Sequence, residues 1–143
     1  MNIKLNVGAS PIWTKKGWHT LDHKVSDGRD NSLVGDAANI PLDKSTCSTV
    51  FCSHVFEHIP HTKLEDVLLE FNRVLENDGI VRILTPDLKK LATAYVNNDE
   101  DLLEACMEEN EKIRTDLGPG GMLANWFVSP GQDTVLYNRS LTE

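Results

Sequence analysis

The sequence predicts an α/β fold in which a mostly parallel sheet is flanked by helices. Three observations predict it: short β-branched apolar runs fill the first half, an amphipathic helix follows Pro60, and a strand at residues 80–84 follows that helix. Because a strand, a helix and a strand in succession form a right-handed crossover, neighbouring strands are expected to be parallel. A chain of 143 residues fits one compact domain, which we expect to span residues 1–143.

The strands of the first half are short and are separated by irregular connections. They are predicted at residues 3–7, 18–21, 33–34 and 49–53. The last of them is of the apolar, β-branched and aromatic type that is buried on both faces of a parallel sheet. Between the first two strands, residues 11–17 include Pro11, Gly17 and two lysines, which indicates a loop or a broken helix.

The helix after Pro60 has the clearest pattern in the chain. Thr62 and Glu65 have the spacing of a capping box at its start, and Asn77-Asp78-Gly79 supplies a stop at its end. Two further helices are predicted at residues 88–96 and 102–113. The apolar residues of the first helix lie three and four positions apart on one face: Leu64, Val67, Leu68, Phe71, Val74 and Leu75.

Composition excludes several classes of partner. The chain has 14 Lys and Arg against 22 Asp and Glu, a net charge of −8 and no basic run, so neither nucleic acid nor an anionic membrane is expected to bind. No signal peptide and no apolar run near the ~20 residues that cross a bilayer are present, which predicts a soluble, cytoplasmic protein. Cys47, Cys52 and Cys106 are odd in number and lack metal-ligand spacing, so we expect free thiols without a catalytic role.

A small-residue turn is the first functional signal. Gly8-Ala9-Ser10-Pro11 follows the first strand, and Asp22 ends the second. Such a turn allows a ligand close to the backbone, and an acid one strand later can hydrogen-bond two ribose hydroxyls, as in sites for adenosine-bearing cofactors. Only Gly8 fits a glycine-rich fingerprint, whose later glycines would fall at Ser10 and Ile12, and an ordinary strand-to-helix turn has the same features.

Four segments in order and in register carry a more specific resemblance. They are Lys4-Leu5-Asn6-Val7-Gly8, Gly35-Asp36-Ala37-Ala38-Asn39-Ile40-Pro41-Leu42, Ser53-His54-Val55-Phe56-Glu57-His58-Ile59, and Arg73-Val74-Leu75-Glu76-Asn77-Asp78-Gly79 running into Arg82-Ile83-Leu84-Thr85-Pro86-Asp87-Leu88. Over residues 3–96 the chain resembles the class I S-adenosylmethionine-dependent methyltransferases, in particular their small type-11-like group. The resemblance implies a Rossmann-like sheet, here a minimal methyltransferase core, apparently truncated at the C-terminus, that lacks the terminal antiparallel strands.

The resemblance also implies a cofactor, S-adenosylmethionine, and a set of residues that bind it. Asp22 matches the acid that takes the ribose hydroxyls, and Asp36 matches the residue that accepts from the adenine amino group. Ile40 would form an apolar wall of the pocket. Ala9 and Ser10 depart from the family's usual glycine continuation. The full set of residues that the resemblance places at the cofactor is Asn6, Gly8, Ala9, Ser10, Asp22, Asp36, Ala37, Ser53 and His54.

The segment from His54 to His61 admits two interpretations. His54-Val55-Phe56-Glu57-His58 satisfies the H-x-x-E-H pattern of a zinc peptidase class, but that site needs a sustained helix, and Pro60 interrupts this one. We therefore predict no metal, while a metal at Glu57, His58 and His61 is the alternative. In a methyltransferase, His54 or His58 is the expected general base, because imidazole titrates near neutral pH.

The expected function is that of a methyltransferase, a transferase acting on an oxygen or nitrogen of a small-molecule or sugar-containing acceptor. The alternative is a truncated, weak or inactive methyltransferase-fold module that serves as a cofactor-binding or assembly subunit. A metal-dependent hydrolase is a third interpretation. An open sheet edge at the C-terminal side predicts a homodimer or, as the alternative, a pared-down domain that needs a partner. Trp126, Phe127 and Val128 are expected either at the dimer interface or packed within one subunit.

Overall fold

The computed structural model describes residues 2–9, 13–23 and 31–105. The chain divides into two compact units, Met1–Thr85 and Pro86–Glu143, each of which is described by itself. The predictions for Ser10, Cys106 and the segment Trp126-Phe127-Val128 lie outside the described residues. The single domain and the homodimer stay predictions.

The described part of the first unit is built on a sheet of five strands. They are β1 (Ile3–Val7), β2 (Trp18–Asp22), β3 (Ser32–Val34), β4 (Cys47–Ser53) and β5 (Leu75–Leu84). Their order across the sheet is β3-β2-β1-β4-β5, and every neighbouring pair is parallel. The predicted parallel α/β sheet is therefore confirmed, with β1 in its centre.

One helix and one face of the sheet form the core of this unit. Helix α1 (Leu64–Val74) buries Val67, Phe71 and Val74 of the predicted apolar stripe, whereas Leu68, which was predicted on the same face, is 47% exposed. The register places Leu5 of β1 beside Val50 of β4, and both are fully buried members of the same cluster. Further members come from β1, β2 and β4: Val7, Leu21 and Cys52.

The start of α1 differs from the prediction. Thr62 lies in a 3-10 turn, His61–Lys63, and the residue at the N-cap of α1 is Lys63, which makes no side-chain capping bond. The prediction that Thr62 and Glu65 form a capping box is therefore wrong. Pro60 begins the 3-10 turn, and the main-chain bond from the Lys63 N–H to the Pro60 carbonyl (2.8 Å) brings the chain into the helix without a side-chain cap.

The end of α1 also differs. The helix ends at Val74, and β5 begins at once with Leu75, so Asn77-Asp78-Gly79 lies inside the strand instead of stopping the helix. Between the pairs Cys47–Leu75 and Thr49–Ile80 the register shifts, which accommodates three extra residues in β5. Asp78 takes a left-handed conformation there (φ 66°), so the turn residues form a bulge.

The described part of the second unit contains two helices. Helix α2 (Leu88–Val96) has the predicted bounds, and the Asp87 carboxylate accepts a bond from the Lys90 N–H (3.0 Å) at its start. Helix α3 (Glu100–Ala105) covers the beginning of the helix predicted at residues 102–113. None of the helices in residues 2–9, 13–23 and 31–105 has the length and apolar character needed to cross a membrane.

Candidate functional site

The strand order defines where a ligand can bind. The chain passes from β1 outward to β2 and β3, then crosses to β4 on the other side of β1. In open parallel sheets this change of direction leaves a crevice outside the carboxyl ends of the two central strands, where ligands bind. Gly8 follows β1 and His54 follows β4 at this edge.

Two main-chain hydrogen bonds fix the strand ends on one side of that crevice. The Gly8 N–H donates to the carbonyl of Leu21 (2.8 Å), and the Gly35 N–H donates to the carbonyl of Asp22 (3.0 Å). The hydrogen bonding between neighbouring strands therefore continues one residue beyond the ends of β1 and β3. As a result Gly8, Asp22 and Asp36 lie at the ends of three adjacent strands in a fixed register.

The two acids are partly engaged by nearby amides. One oxygen of Asp22 accepts from the His23 N–H (2.7 Å), and one oxygen of Asp36 accepts from the Ala38 N–H (2.8 Å). A carboxylate can accept several hydrogen bonds through its two oxygens, so each acid retains the capacity to accept from a ligand hydroxyl or amino group. Asp22 is half-buried and Asp36 is exposed.

Gly8 occupies a position where any side chain would force its neighbours to move. Its φ is +70°, and a Cβ there would lie 2.2 Å from Cγ2 of Val55. Glycine is therefore required because Val55, in the segment after β4, lies against it. The resemblance implied instead that the ligand approaches the backbone at Gly8. Gly8 joins the two central strand ends of the crevice, and its own N–H is already bonded to Leu21.

The other residues predicted at the cofactor take different positions. Asn6 is 4% exposed and lies inside β1, paired with Thr20 and Phe51. Ala9 is buried directly after Gly8, and Ala37 is half-buried against the core cluster. Ser53 is the last residue of β4 and pairs with Leu84. Gly8, Ser53 and the two acids therefore come together at the carboxyl edge, while Asn6 lies within the sheet.

His54 adopts an unusual backbone conformation at this edge. Its φ is +54°, which is uncommon outside glycine, and its N–H donates to the carbonyl of Leu84 (3.0 Å). Its Nδ1 lies 3.2 Å from Oε1 of Glu57; the His54 side chain is 49% exposed and that of Glu57 is 15% exposed. His58 lies in the 3-10 turn Phe56–His58 and is exposed. Of the two candidate bases, His54 is the one that carries this carboxylate contact.

The histidine segment does not form the helix of a zinc peptidase. A 3-10 turn, Phe56–His58, is followed by the extended Ile59 and by Pro60 before the next turn begins. Within the described ranges, no three His, Cys, Asp or Glu side chains come together as a group that could hold a metal ion. His54 lies outside any helix.

Two cysteines of β4 are buried free thiols. Cys47 and Cys52 form no disulfide, as the sequence predicts. Burial, together with the charge of Glu57, raises the pKa of Cys52 to about 12, and burial also raises the pKa of Cys47. Because the thiolate is the reactive form, neither thiol is a nucleophile near neutral pH.

We expect both thiols to resist alkylation in the folded protein and to react when it unfolds. Iodoacetamide labelling followed by peptide mass spectrometry measures this, with and without denaturant. Labelling of Cys52 in the native protein at the rate of an exposed thiol would contradict its burial.

A clamp that the sequence analysis missed holds the segment after β3. Glu70 and Arg73 on α1 form a bidentate pair (both 2.7 Å), and together they bind both main-chain groups of Ile40. The Ile40 N–H donates to Glu70 (2.7 Å), and its carbonyl accepts from Arg73 (3.0 Å).

Ile40 is 2% exposed, so it is a core residue and not the apolar wall of a pocket. The sequence shows that Glu70 and Arg73 are spaced to pair on one helix. It does not show that they bind Ile40, which lies about thirty residues away.

The clamp predicts a pH-dependent contribution to stability. The hydrogen bond from Arg73, with that from the Ile40 N–H, lowers the pKa of Glu70 below its usual value of 4.5. A carboxyl group whose pKa is lower in the folded than in the unfolded protein stabilises the fold at a pH above its unfolded pKa. This contribution is lost as the pH falls through the pKa of the folded protein. We expect Glu70→Gln to lower the free energy of unfolding by about 1–2 kcal/mol near neutral pH, and by progressively less below pH 4.5.

Urea unfolding of both proteins at several pH values measures this difference. Glu65→Gln, on an exposed position of the same helix, is the control and should change stability by only a few tenths of a kcal/mol. A Glu70→Gln deficit that is the same at neutral and acidic pH would show that the charge of Glu70 contributes nothing.

The fold and the edge residues define a class: the described part of the first unit is an open parallel α/β domain with a glycine turn after β1 and acids at the ends of β2 and β3, and such sheets bind ligands at this edge. Comparison with family models gives the family. Residues 17–83 match the family described as methyltransferase domain. The resemblance to the class I S-adenosylmethionine-dependent methyltransferases and the Rossmann-like fold are thereby confirmed. No curated protein matches the sequence.

Proposed function

We propose that this methyltransferase domain binds S-adenosylmethionine at the carboxyl edge of β1, β2 and β3 and transfers its methyl group to an oxygen or nitrogen of a small-molecule or sugar-containing acceptor. The observation that supports the proposal is the pair of main-chain bonds, from Gly8 to Leu21 and from Gly35 to Asp22, that sets Gly8, Asp22 and Asp36 in register. The acceptor class follows only from the resemblance and from the acidic composition.

The chemistry of the edge suits this cofactor. Ribose offers two hydroxyl donors and adenine offers an amino donor, and Asp22 and Asp36 are both acceptors at the ends of neighbouring strands. The sulfonium of the cofactor supplies an activated methyl group, so the protein's contribution is to hold the acceptor in line and to exclude water. The Gly8 N–H is engaged by Leu21, and for this reason we assign the binding energy to the acids rather than to that amide.

Calorimetry with S-adenosylmethionine and its demethylated product tests the proposal. Hydrogen bonds to a charged group contribute about 1.5–3 kcal/mol, so Asp22→Ala should weaken binding by about tenfold to a hundredfold. The matched control is Asp66→Ala, an exposed acid on α1, which should bind as the wild type does.

Three outcomes separate the candidate functions. Absence of binding at millimolar concentration would overturn the proposed function, and equal affinity in Asp22→Ala would place the cofactor elsewhere. Binding that is never followed by methyl transfer to hydroxyl- or amine-bearing acceptors would favour the cofactor-binding module.

A further inference from the structure

The strongest unassigned feature is the attachment of the turn after β3, residues 35–41, to helix α1. We propose that Glu70 and Arg73 are positioning residues for Asp36: by holding the main chain of Ile40 they fix the turn that presents the Asp36 carboxylate to the adenine amino group. This role rests on the proposed function, which assigns that contact to Asp36 and gives α1 no part in binding.

The turn is a closed unit that contains Asp36. The Asn39 N–H donates to the main-chain carbonyl of Asp36 (2.9 Å), and the Ala38 N–H donates to Oδ1 of the same residue (2.8 Å), so the turn itself orients the carboxylate. A Cβ on Gly35 would lie 3.0 Å from Cδ of Pro41, which shows that the two ends of the turn lie against each other. A shift of the far end of the turn therefore shifts Asp36.

The turn is attached at both ends. At its entry the Gly35 N–H donates to the carbonyl of Asp22 on β2 (3.0 Å). At its exit Oε1 of Glu70 accepts from the Ile40 N–H (2.7 Å), and Nη2 of Arg73 donates to the Ile40 carbonyl (3.0 Å). Nη2 of Arg73 also donates to the same Oε1 (2.7 Å), so these bonds close a ring that fixes the direction of both main-chain groups of Ile40.

Apolar packing alone does not fix this direction. Ile40 is 2% exposed and belongs to the core cluster, so its side chain stays anchored when the clamp is removed. Its N–H would then lose the acceptor that Glu70 supplies, and a buried N–H without a partner is costly. The main chain would turn to find another acceptor or water, and Asp36 would leave its register with Asp22.

The position of Asp36 determines which base the site prefers. Its carboxylate accepts only, so it can bond the amino group of adenine but gains nothing from a purine that has hydrogen in place of that group. A site built to hydrogen-bond one group of its ligand discriminates against an analogue that lacks the group, provided that the partner is held in place. The clamp therefore contributes to specificity for adenine, although Glu70 and Arg73 act only through Ile40.

Amide hydrogen exchange measured by NMR tests the clamp without any ligand. The amides of Ala38 and Asn39 report on the turn, because both donate to Asp36, and the Gly8 amide after β1 is the reference. In Glu70→Ala we expect the two turn amides to exchange about tenfold faster relative to the reference amide. Glu70→Gln keeps an acceptor oxygen and should give a smaller acceleration.

Val67→Ala is the control for a loss of overall stability. Val67 lies on α1 and is 1% exposed, so its truncation weakens the core but leaves the bonds of the clamp, and it should accelerate turn and reference amides alike. An unchanged ratio in folded Glu70→Ala, or the same ratio in Val67→Ala, overturns the positioning role. If Glu70→Ala fails to fold, Arg73→Met, which removes the donor to the Ile40 carbonyl from a half-exposed side chain, decides by the same ratio.

Calorimetry connects the clamp to binding. The ligands are the demethylated cofactor and its analogue with purine in place of adenine. The wild type should prefer the adenine ligand by about tenfold, and this preference should fall toward unity in Glu70→Ala but not in Glu65→Ala, which removes an exposed acid of α1. A preference that is unchanged in Glu70→Ala overturns the role of the clamp in specificity.

The two failures are distinguishable. A wild type that binds neither ligand overturns the proposed function, while the exchange ratios still decide whether Glu70 and Arg73 position Asp36. Binding of both ligands together with unchanged exchange ratios overturns the positioning role and leaves the proposed function intact.

Discussion

Replacing Phe71 with alanine is expected to lower the free energy of unfolding by about 3–5 kcal/mol, the largest effect of any single side chain in the described part of the first unit. Phe71 is 1% exposed, is among the largest fully buried side chains and packs on Phe56. Its removal leaves a cavity between α1 and the sheet that the rigid strands cannot close. Urea or thermal unfolding followed by circular dichroism measures the change.

The control for this prediction lies two residues away. Leu69 is on the same helix but is 59% exposed, so Leu69→Ala should change stability by less than about 0.5 kcal/mol. Equal effects of the two substitutions would mean that α1 does not present its predicted face to the sheet.

The fold was largely predictable because its signals are local. Periodicity of apolar residues defines α1 and α2, and compact β-branched runs define β1 and β4. The errors at Thr62 and at Asn77-Asp78-Gly79 have one origin: main-chain geometry determined both ends of α1. A 3-10 turn supplied the entry to the helix, and the pairing of Leu75 with Cys47 extended β5 over residues that otherwise favour a turn.

The positions of the candidate site residues were predictable only in part. Asp22, Asp36, Gly8 and His54 could be placed because each lies at or just after the end of a strand, and strand ends of a parallel sheet share one edge. The contacts that organise them could not be predicted. The approach of Val55 to Gly8 and the clamp of Arg73 on Ile40 join residues far apart in sequence, and no periodic pattern encodes such pairs.

Gly8→Ala is expected to destabilise the first unit by about 2–4 kcal/mol, because two costs add. A left-handed φ of +70° costs a non-glycine residue about 1–2 kcal/mol, and the new Cβ would lie 2.2 Å from Val55 Cγ2, which requires the segment after β4 to move. That segment carries His54. The substitution should therefore change the His54 imidazole signals as well as the unfolding free energy.

Gly17→Ala is the matched control, because it isolates the backbone cost. Gly17 has φ +80°, but the Cβ that alanine would add there meets no atom of the described residues within 4 Å beyond its chain neighbours, so the substitution should cost only about 1 kcal/mol and leave the His54 signals unchanged. A double-mutant cycle of Gly8→Ala with Val55→Ala then measures the steric part, and we expect a favourable coupling of about 1–3 kcal/mol. Equal costs at the two glycines, with no coupling to Val55, would show that the ends of β1 and β4 do not meet as described, and the crevice would lose the contact that joins its two sides.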